Sequence, residues 1–292
     1  MTDFIHPESQ KRFYLFIRRL MQGKQPAAIE CQLRGGVLTL LSGTLYQQGE
    51  NTLCMLAVTD ISTQKHAQAE LAAANKVLRQ FVDNISHELR TPLANFRLYL
   101  HLLAKNPDKQ GRYLEILQRE TARLEHLVEE LLLLTRLDHP QTKLQTQTLN
   151  LAQHVHTIVE DRRPLITQQL TVEGEAVHVE ADVDMLDRVV SALLENAARY
   201  TPPEGHIAVT VGREGPWGVL HITDTGPGIH ADDQPHIFKR FYRGAASKAK
   251  PGTGLGLAIA KEIVDAHGGR ITLRNHTEGA RARVWLPLKE EA

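Results

Sequence analysis

Between Glu30 and Asp60 the apolar residues come in short runs broken by turn formers: IECQLRGG, VLTLLSG, TLYQQGEN and TLCMLAVTDIS. Breaks at Gly35-Gly36 and around Gly49 between such β-rich runs predict an antiparallel meander. Ahead of it, KRFYLFIRRLMQ reads as one short amphipathic helix. From Ser62 the rhythm changes. TQKHAQAELAAANKVLRQFVDNISHELR spaces Leu71, Leu78 and Ile85 seven apart, with Ala74 and Phe81 between them, which is a heptad seam. After a break at Asn106-Pro107-Asp108, RYLEILQRETARLEHLVEELLLLTRLD keeps Leu117, Leu124 and Leu131 in register, with Leu127 and Leu134 alongside. His139-Pro140 is expected to stop this second helix. Two such helices on a short loop form an antiparallel hairpin with more apolar surface than they can cover alone. Pairing two copies into a four-helix bundle would cover it.

Beyond about residue 145 the pattern is mixed. LNLAQHVHTIVEDRRPLI predicts a helix, LTVEGEAVHVEA two strands and DMLDRVVSALLENAARYT a strong helix. HIAVTVGREGPWGVLHITDTG predicts a hairpin, GLGLAIAKEIVDAHG a helix and GRITLRNHTEGARARVWLPL a closing hairpin. Strands with interspersed helices but no regular βαβ alternation favour an α+β sandwich, helices on one antiparallel-rich sheet.

The charge balance narrows the function classes. Lys plus Arg and Asp plus Glu number 34 each, so nothing global points to nucleic acid or an anionic membrane surface. Cys31 and Cys54 are the only cysteines, too few and too far apart for a disulfide framework, and a reducing compartment is the default. No apolar run reaches the roughly 18 residues of a membrane span, and MTDFIHPESQ lacks a signal pattern, so the chain reads as cytosolic, without membrane contact.

Three constellations carry chemistry. DTGPGI (224–229) and GTGLGL (252–257) flank the segment GAASKAKPGTG, whose composition does not hold a fixed structure by itself. GTGLGLAIA runs straight into an apolar helix, so its amides can meet a phosphate, and two glycine motifs around a flexible insert suggest a nucleotide site under a lid. Glycine-rich turns at a hairpin and a helix start are the plainer explanation. In LDRVVSALLENAARYT, Leu186, Val189, Val190, Leu193, Leu194 and Ala197 form the buried stripe, and Asn196, Arg199 and Tyr200 gather at its border. Asn196 offers an oxygen suited to Mg²⁺, Arg199 can neutralise phosphate, and Tyr200 can lie against a base. A half-buried amide with no ligand is the ordinary alternative. In FVDNISHELRTPLANF, His87 falls two positions past the seam residue Ile85, at a solvent-facing site, with Thr91 one turn on. A solvent-facing imidazole is mostly neutral at pH 7 and nucleophilic, and Glu88 could take or orient its proton. Pro92 removes a helix hydrogen bond at the carbonyl of Glu88, so the helix is expected to bend there and open a path to His87. A lone surface histidine is usually inert. His154 and His156 read as a helix face, not as a metal site.

ISHELRTPL, LLENAARYT, DTGPGI, IFKRFYRG and GTGLGLAIA, in this order, resemble the H, N, G1, F and G2 boxes of bacterial two-component sensor histidine kinases. The resemblance covers about residues 62–290. It implies a dimerisation and phosphotransfer hairpin (81–144) after a coiled-coil linker (62–80), then an ATP-binding domain (145–292) of the type shared with gyrase and the heat-shock chaperone ATPase. By this resemblance His87 is the phospho-acceptor, Glu88 its acid/base neighbour, and Thr91 the residue that positions water for dephosphorylation. Asn196 binds Mg²⁺, Arg199 the phosphates and Tyr200 the adenine of ATP. Asp224 accepts the adenine amino group, and Gly226 and Gly228 shape the pocket. Gly252, Thr253, Gly254, Leu255 and Gly256 form the hinge of the lid, which Phe238 and Phe241 anchor. Arg243 reaches toward the transferred phosphoryl group. The implied protein is a homodimer whose partner is a response-regulator receiver domain.

Ala192 stands where many such kinases carry a second asparagine, which implies weaker metal binding and leaves open a phosphatase-biased or non-catalytic scaffold. In the hydrolytic ATPases of the superfamily a glutamate at this place activates water, so Ala192 disfavours that third reading. Residues 1–61 resemble less sharply the C-terminal half of a PAS sensor domain. A whole PAS domain is about twice as long, so the chain is expected either to be part of a longer protein, the favoured reading, or to keep a remnant that serves only dimerisation.

Overall fold

The computed structural model describes residues 4–49, 51–138, 144–244 and 252–289. The chain divides into two compact units, Met1–Val82 and Asp83–Ala292.

In the first unit α1 (Pro7–Met21) precedes three antiparallel strands, β1 (Ile29–Gln32), β2 (Leu38–Gln48) and β3 (Asn51–Asp60), in sheet order 1-2-3. Phe13, Phe16 and Leu20 of α1 are buried. The four apolar runs become three strands because Gly43 is no turn: a Cβ there would lie 2.6 Å from Leu20 and 2.9 Å from Leu56, so the glycine lets the sheet pass close to the helix. Cys31 is buried and Cys54 exposed, both as free thiols.

Helix α2 (Ser62–Lys105) runs on into the second unit, where a 3₁₀ turn at Pro107–Lys109 joins it to α3 (Gln110–Leu137). The expected loosening after His87 does not interrupt α2: the helix continues through Pro92, whose ring is buried. The two helices meet through Glu88 and Arg123 (3.1 Å), Asn95 and Glu120 (3.0 Å), and the rings of Tyr99 and Tyr113 (centroids 5.9 Å apart). The expected stop at His139-Pro140 lies outside the described residues.

The rest of this unit is an α+β sandwich. Strands β5 (Gln169–Gly174), β7 (His206–Glu214), β8 (Trp217–Asp224), β10 (Gly279–Pro287) and β9 (Arg270–His276) form one sheet in the order 5-7-8-10-9, antiparallel except for β5 beside β7. Alternate residues of its strands, such as Ile207, Val209, Leu220, Ile222, Val284 and Leu286, share a buried core with the apolar stripes of α4 (Leu151–Arg162), α5 (Val183–Tyr200) and α6 (Gly256–Ala266). Helix α4 begins later than its apolar pattern suggests. Residues Gln147–Asn150 form β4, which pairs with β6 (His178–Ala181), and the Asn150 side chain then caps α4 by accepting from the amides of Ala152 and Gln153. Leu127, Leu133 and Leu134 of α3 join the same core.

Candidate functional site

The stripe on α5 fixes what borders it. Burial of Leu186, Val189, Val190, Leu193, Leu194 and Ala197 leaves Asn196 and Tyr200 half-buried at the edge and Arg199 exposed. The carboxyl end of α5 is held by Gln168, whose Nε2 donates to the carbonyls of Ala198 (3.0 Å) and Thr201 (2.8 Å). Gly226 passes so close to this end that a Cβ would lie 3.1 Å from the Tyr200 carbonyl and 2.8 Å from Asp224 Oδ1.

Asp224, at the end of β8, is 7% exposed. Its Oδ1 accepts from the amides of Gly226 (2.9 Å) and Ala280 (3.3 Å). Burial pushes the carboxyl pKa up, and these two amide bonds pull partly against it. Both bonds fall on Oδ1, so that among the described residues Oδ2 stays available to accept from a donor on a ligand. That arrangement fits an adenine amino group. Gly279 makes it possible: a Cβ there would run into the Asp224 carbonyl. Nearby, Asn275 clamps the Gly228 turn, accepting from the Ile229 amide (2.6 Å) and donating to its carbonyl (2.8 Å), with Gly228 at φ 73°.

The second glycine motif meets the F-box residues through backbone. The Phe241 amide donates to the Gly254 carbonyl at 2.9 Å, and a Cβ on Gly254 would lie 2.9 Å from the Tyr242 carbonyl oxygen. Phe241 has φ 61°, and both Phe238 and Phe241 pack against the core, as anchors would. Arg199 lies against Gly252, where a Cβ would collide with its guanidinium. Leu255 is fully buried, and Thr253 Oγ1 accepts the Leu255 amide at 3.2 Å. Gly256 opens α6 against Ala192: a Cβ on the glycine would lie 3.7 Å from the alanine's, so α5 and α6 approach closely where a second asparagine was absent. Arg243 is half-buried. Between the motifs, residues 245–251 lie outside the described residues.

On the hairpin His87 is exposed, and Thr91 one turn on donates to the His87 carbonyl at 3.5 Å. The Glu88 carboxylate is engaged by Arg123 across the hairpin. His154 pairs with Asp187 (2.7 Å), joining α4 to α5. Among the described residues no group of three His, Cys, Asp or Glu could hold a metal ion. An open groove of about 350 Å³ beside α5, lined by Arg162, Leu165, Ile166, Leu194, Glu195, Ala198 and Arg199, shares only Arg199 with the candidate site. The candidate site, as its motif residues define it, is centred on Asp224 and the glycine turns, outside this groove.

Sequence reasoning missed Gln168, Asn275, Gly279 and the Ala280 amide. The glycine in NHTEGAR was the one legible signal among them.

This geometry, a histidine hairpin followed by a sandwich with two glycine turns around a buried aspartate, agrees with what is known of related proteins. Residues 77–140 match the His Kinase A (phospho-acceptor) domain, and residues 181–290 match the family described as Histidine kinase-, DNA gyrase B-, and HSP90-like ATPase. The chain belongs to the sensor histidine kinases, with a phospho-acceptor domain ahead of an ATP-binding one. It is 36% identical over 227 residues to the sensor histidine kinase WalK of Bacillus subtilis (strain 168), covering 73% of this chain and 37% of that protein. It spans well under two thirds of that relative's length. Among solved structures, Acinetobacter baumannii histidine kinase AdeS is 26% identical with a TM-score of 0.57, covering 70% of this chain and 98% of the other. Histidine kinase ThkA, solved with response regulator protein TrrA, shares the fold at 20% identity, with a TM-score of 0.61 over 95% of this chain and 83% of that one. Among the described residues no helix is long and apolar enough to cross a membrane.

Proposed function

We propose that the chain is the kinase core of a two-component sensor, which autophosphorylates His87 from Mg²⁺-ATP and passes the phosphoryl group to an aspartate on a response-regulator receiver domain. The observation that carries this reading is Asp224: a buried carboxylate whose Oδ1 accepts from two amides while, among the described residues, Oδ2 stays available to a ligand donor. Asp224 selects the adenine amino group, Tyr200 lies along the base, and Arg199 beside Gly252 meets the phosphates. Asn196 supplies one oxygen to Mg²⁺, with the remaining ligands coming from phosphate and water. ATP supplies the phosphoryl group; the protein supplies in-line placement and charge neutralisation.

His87 attacks through an imidazole nitrogen, and a nitrogen–phosphorus bond forms as the bond from the transferred phosphorus to the ADP oxygen breaks. The ring proton leaves to Glu88, which must first release Arg123, or to water. Thr91, exposed one turn from His87, supports the reverse reading in which the same face also dephosphorylates the partner. ThkA, a protein of like fold, was solved with its response regulator, which supports a receiver domain as the partner here. The exposed leucines of the hairpin support homodimerisation, and the N-terminal unit is read as the PAS-like end of a sensor region on the cytosolic side.

The test is incubation of the whole chain with γ-labelled ATP. The expected label is acid-labile and alkali-stable, and His87→Ala abolishes it while leaving nucleotide binding intact. Label persisting in that variant would place the acceptor elsewhere.

A further inference from the structure

The carboxylate of Glu130, on α3, is a buried charge that the reaction above does not use. Glu130 is 5% exposed, and a carboxylate so placed needs a partner. It has two. Oε2 accepts from the Thr253 hydroxyl at 2.9 Å, and Oε1 lies 3.4 Å from His126 Nε2. Thr253 belongs to the glycine turn at the start of α6, and that helix has no side-chain cap of its own. An anionic oxygen on a hydroxyl of this turn, beside a helix start, is what a nucleotide phosphate would present.

A second strut ties the other flank of segment 245–251 to the same helix. Arg240 Nη1 donates to Asp138 Oδ2 at 2.8 Å, just past the end of α3, while its Nη2 also reaches Glu262 of α6 at 3.2 Å. Both flanks are thus held on the last turns of α3.

We propose that Glu130 acts as a stand-in for the nucleotide phosphate, occupying the Thr253 hydroxyl so that docking on α3 and phosphate binding at the glycine turn compete. A carboxylate and a phosphate on one hydroxyl repel each other in a poorly solvated place, so each weakens the other. Nucleotide then releases the turn from α3, and α3 restrains the nucleotide domain until it does. This rests on the reading of the Thr253 turn as the phosphate side of an ATP site.

The test is isothermal titration of the whole chain with ADP and with adenosine. Glu130→Ala binds ADP about three- to tenfold more tightly than the unaltered chain, the size of one intramolecular hydrogen bond. Its adenosine affinity is unchanged, because adenosine brings no phosphate to Thr253. Asp138→Ala, which removes the α3 end of the second strut, shifts ADP affinity in the same direction by less. If Glu130→Ala does not fold, Glu130→Gln keeps the volume, removes the charge and shows the same sign of change. Unchanged or weaker ADP binding overturns the proposal, and so does an equal gain for adenosine, which would mean general loosening. Failure of the unaltered chain to bind either ligand would instead overturn the nucleotide reading, and this inference with it.

Discussion

Asp224, the proposed adenine acceptor, is a residue whose proposed role in binding runs against its contribution to folding. Burial raises its pKa above 3.8, so the folded protein at neutral pH holds a charge that it would more readily neutralise. For a carboxyl whose pKa is raised on folding, the destabilisation is fully present above the folded value and fades as the pH falls through it toward 3.8. Asp224→Asn keeps the acceptor for the amides of Gly226 and Ala280 and removes the charge. It should therefore melt at or above the unaltered protein at pH 7, with the difference shrinking toward pH 4. Nucleotide affinity should fall by about ten- to a hundredfold, the loss of one hydrogen bond to a charged group. A lower melting temperature at pH 7 would mean that the carboxylate stabilises the fold. Glu88 illustrates the opposite limit of reading a residue from its neighbours in the chain. Its place next to His87 suggested an acid/base role, but its carboxylate is held by Arg123, a residue of the other helix.

Among the elements, α3 is the one whose pattern says most and least. Its leucines announce a helix with more apolar surface than one neighbour needs, yet nothing in LLLL says which leucine faces what. Leu134 is fully buried in the core that contains Ile259 and Ile263 of α6, while Leu132 is 55% exposed. Leu134→Ala should cost about 2–5 kcal/mol in chemical denaturation, as large-to-small core changes do. Leu132→Ala should stay within about 0.5 kcal/mol, as surface changes do. Equal losses at the two positions would refute this assignment of faces. On the neighbouring helix, Pro92 does not end α2, which runs on through it with the proline buried.

For the molecule as a whole, the second unit leaves apolar surface on its hairpin that one copy does not cover. Leu93 and Leu100, seven apart on α2, are each 54% exposed. Exposed leucines at heptad spacing fit pairing with a second hairpin. Sedimentation equilibrium should find a dimer, and the double change Leu93→Glu, Leu100→Glu should shift it to monomer; an unaltered chain that stays monomeric at micromolar concentration would remove the bundle. The sequence alone determined most of the element order, missing β4 and showing four runs where three strands form, together with the heptad helices, the α+β character of residues 145–292, and His87, Asn196 and the glycine turns as candidates, with Asp224 added by the resemblance of DTGPGI to a family motif. Those signals are local: periodicity, turn chemistry and short motifs lie within one or two elements. Only the tertiary structure decided that the Ala280 amide steadies Asp224, that Gly279 makes room for it, and that Glu130 reaches Thr253 across 123 positions of chain. No periodicity spans such distances, because which polar groups become partners depends on how the helices and the sheet close on their shared core, and burial then obliges each enclosed carboxylate to find a donor.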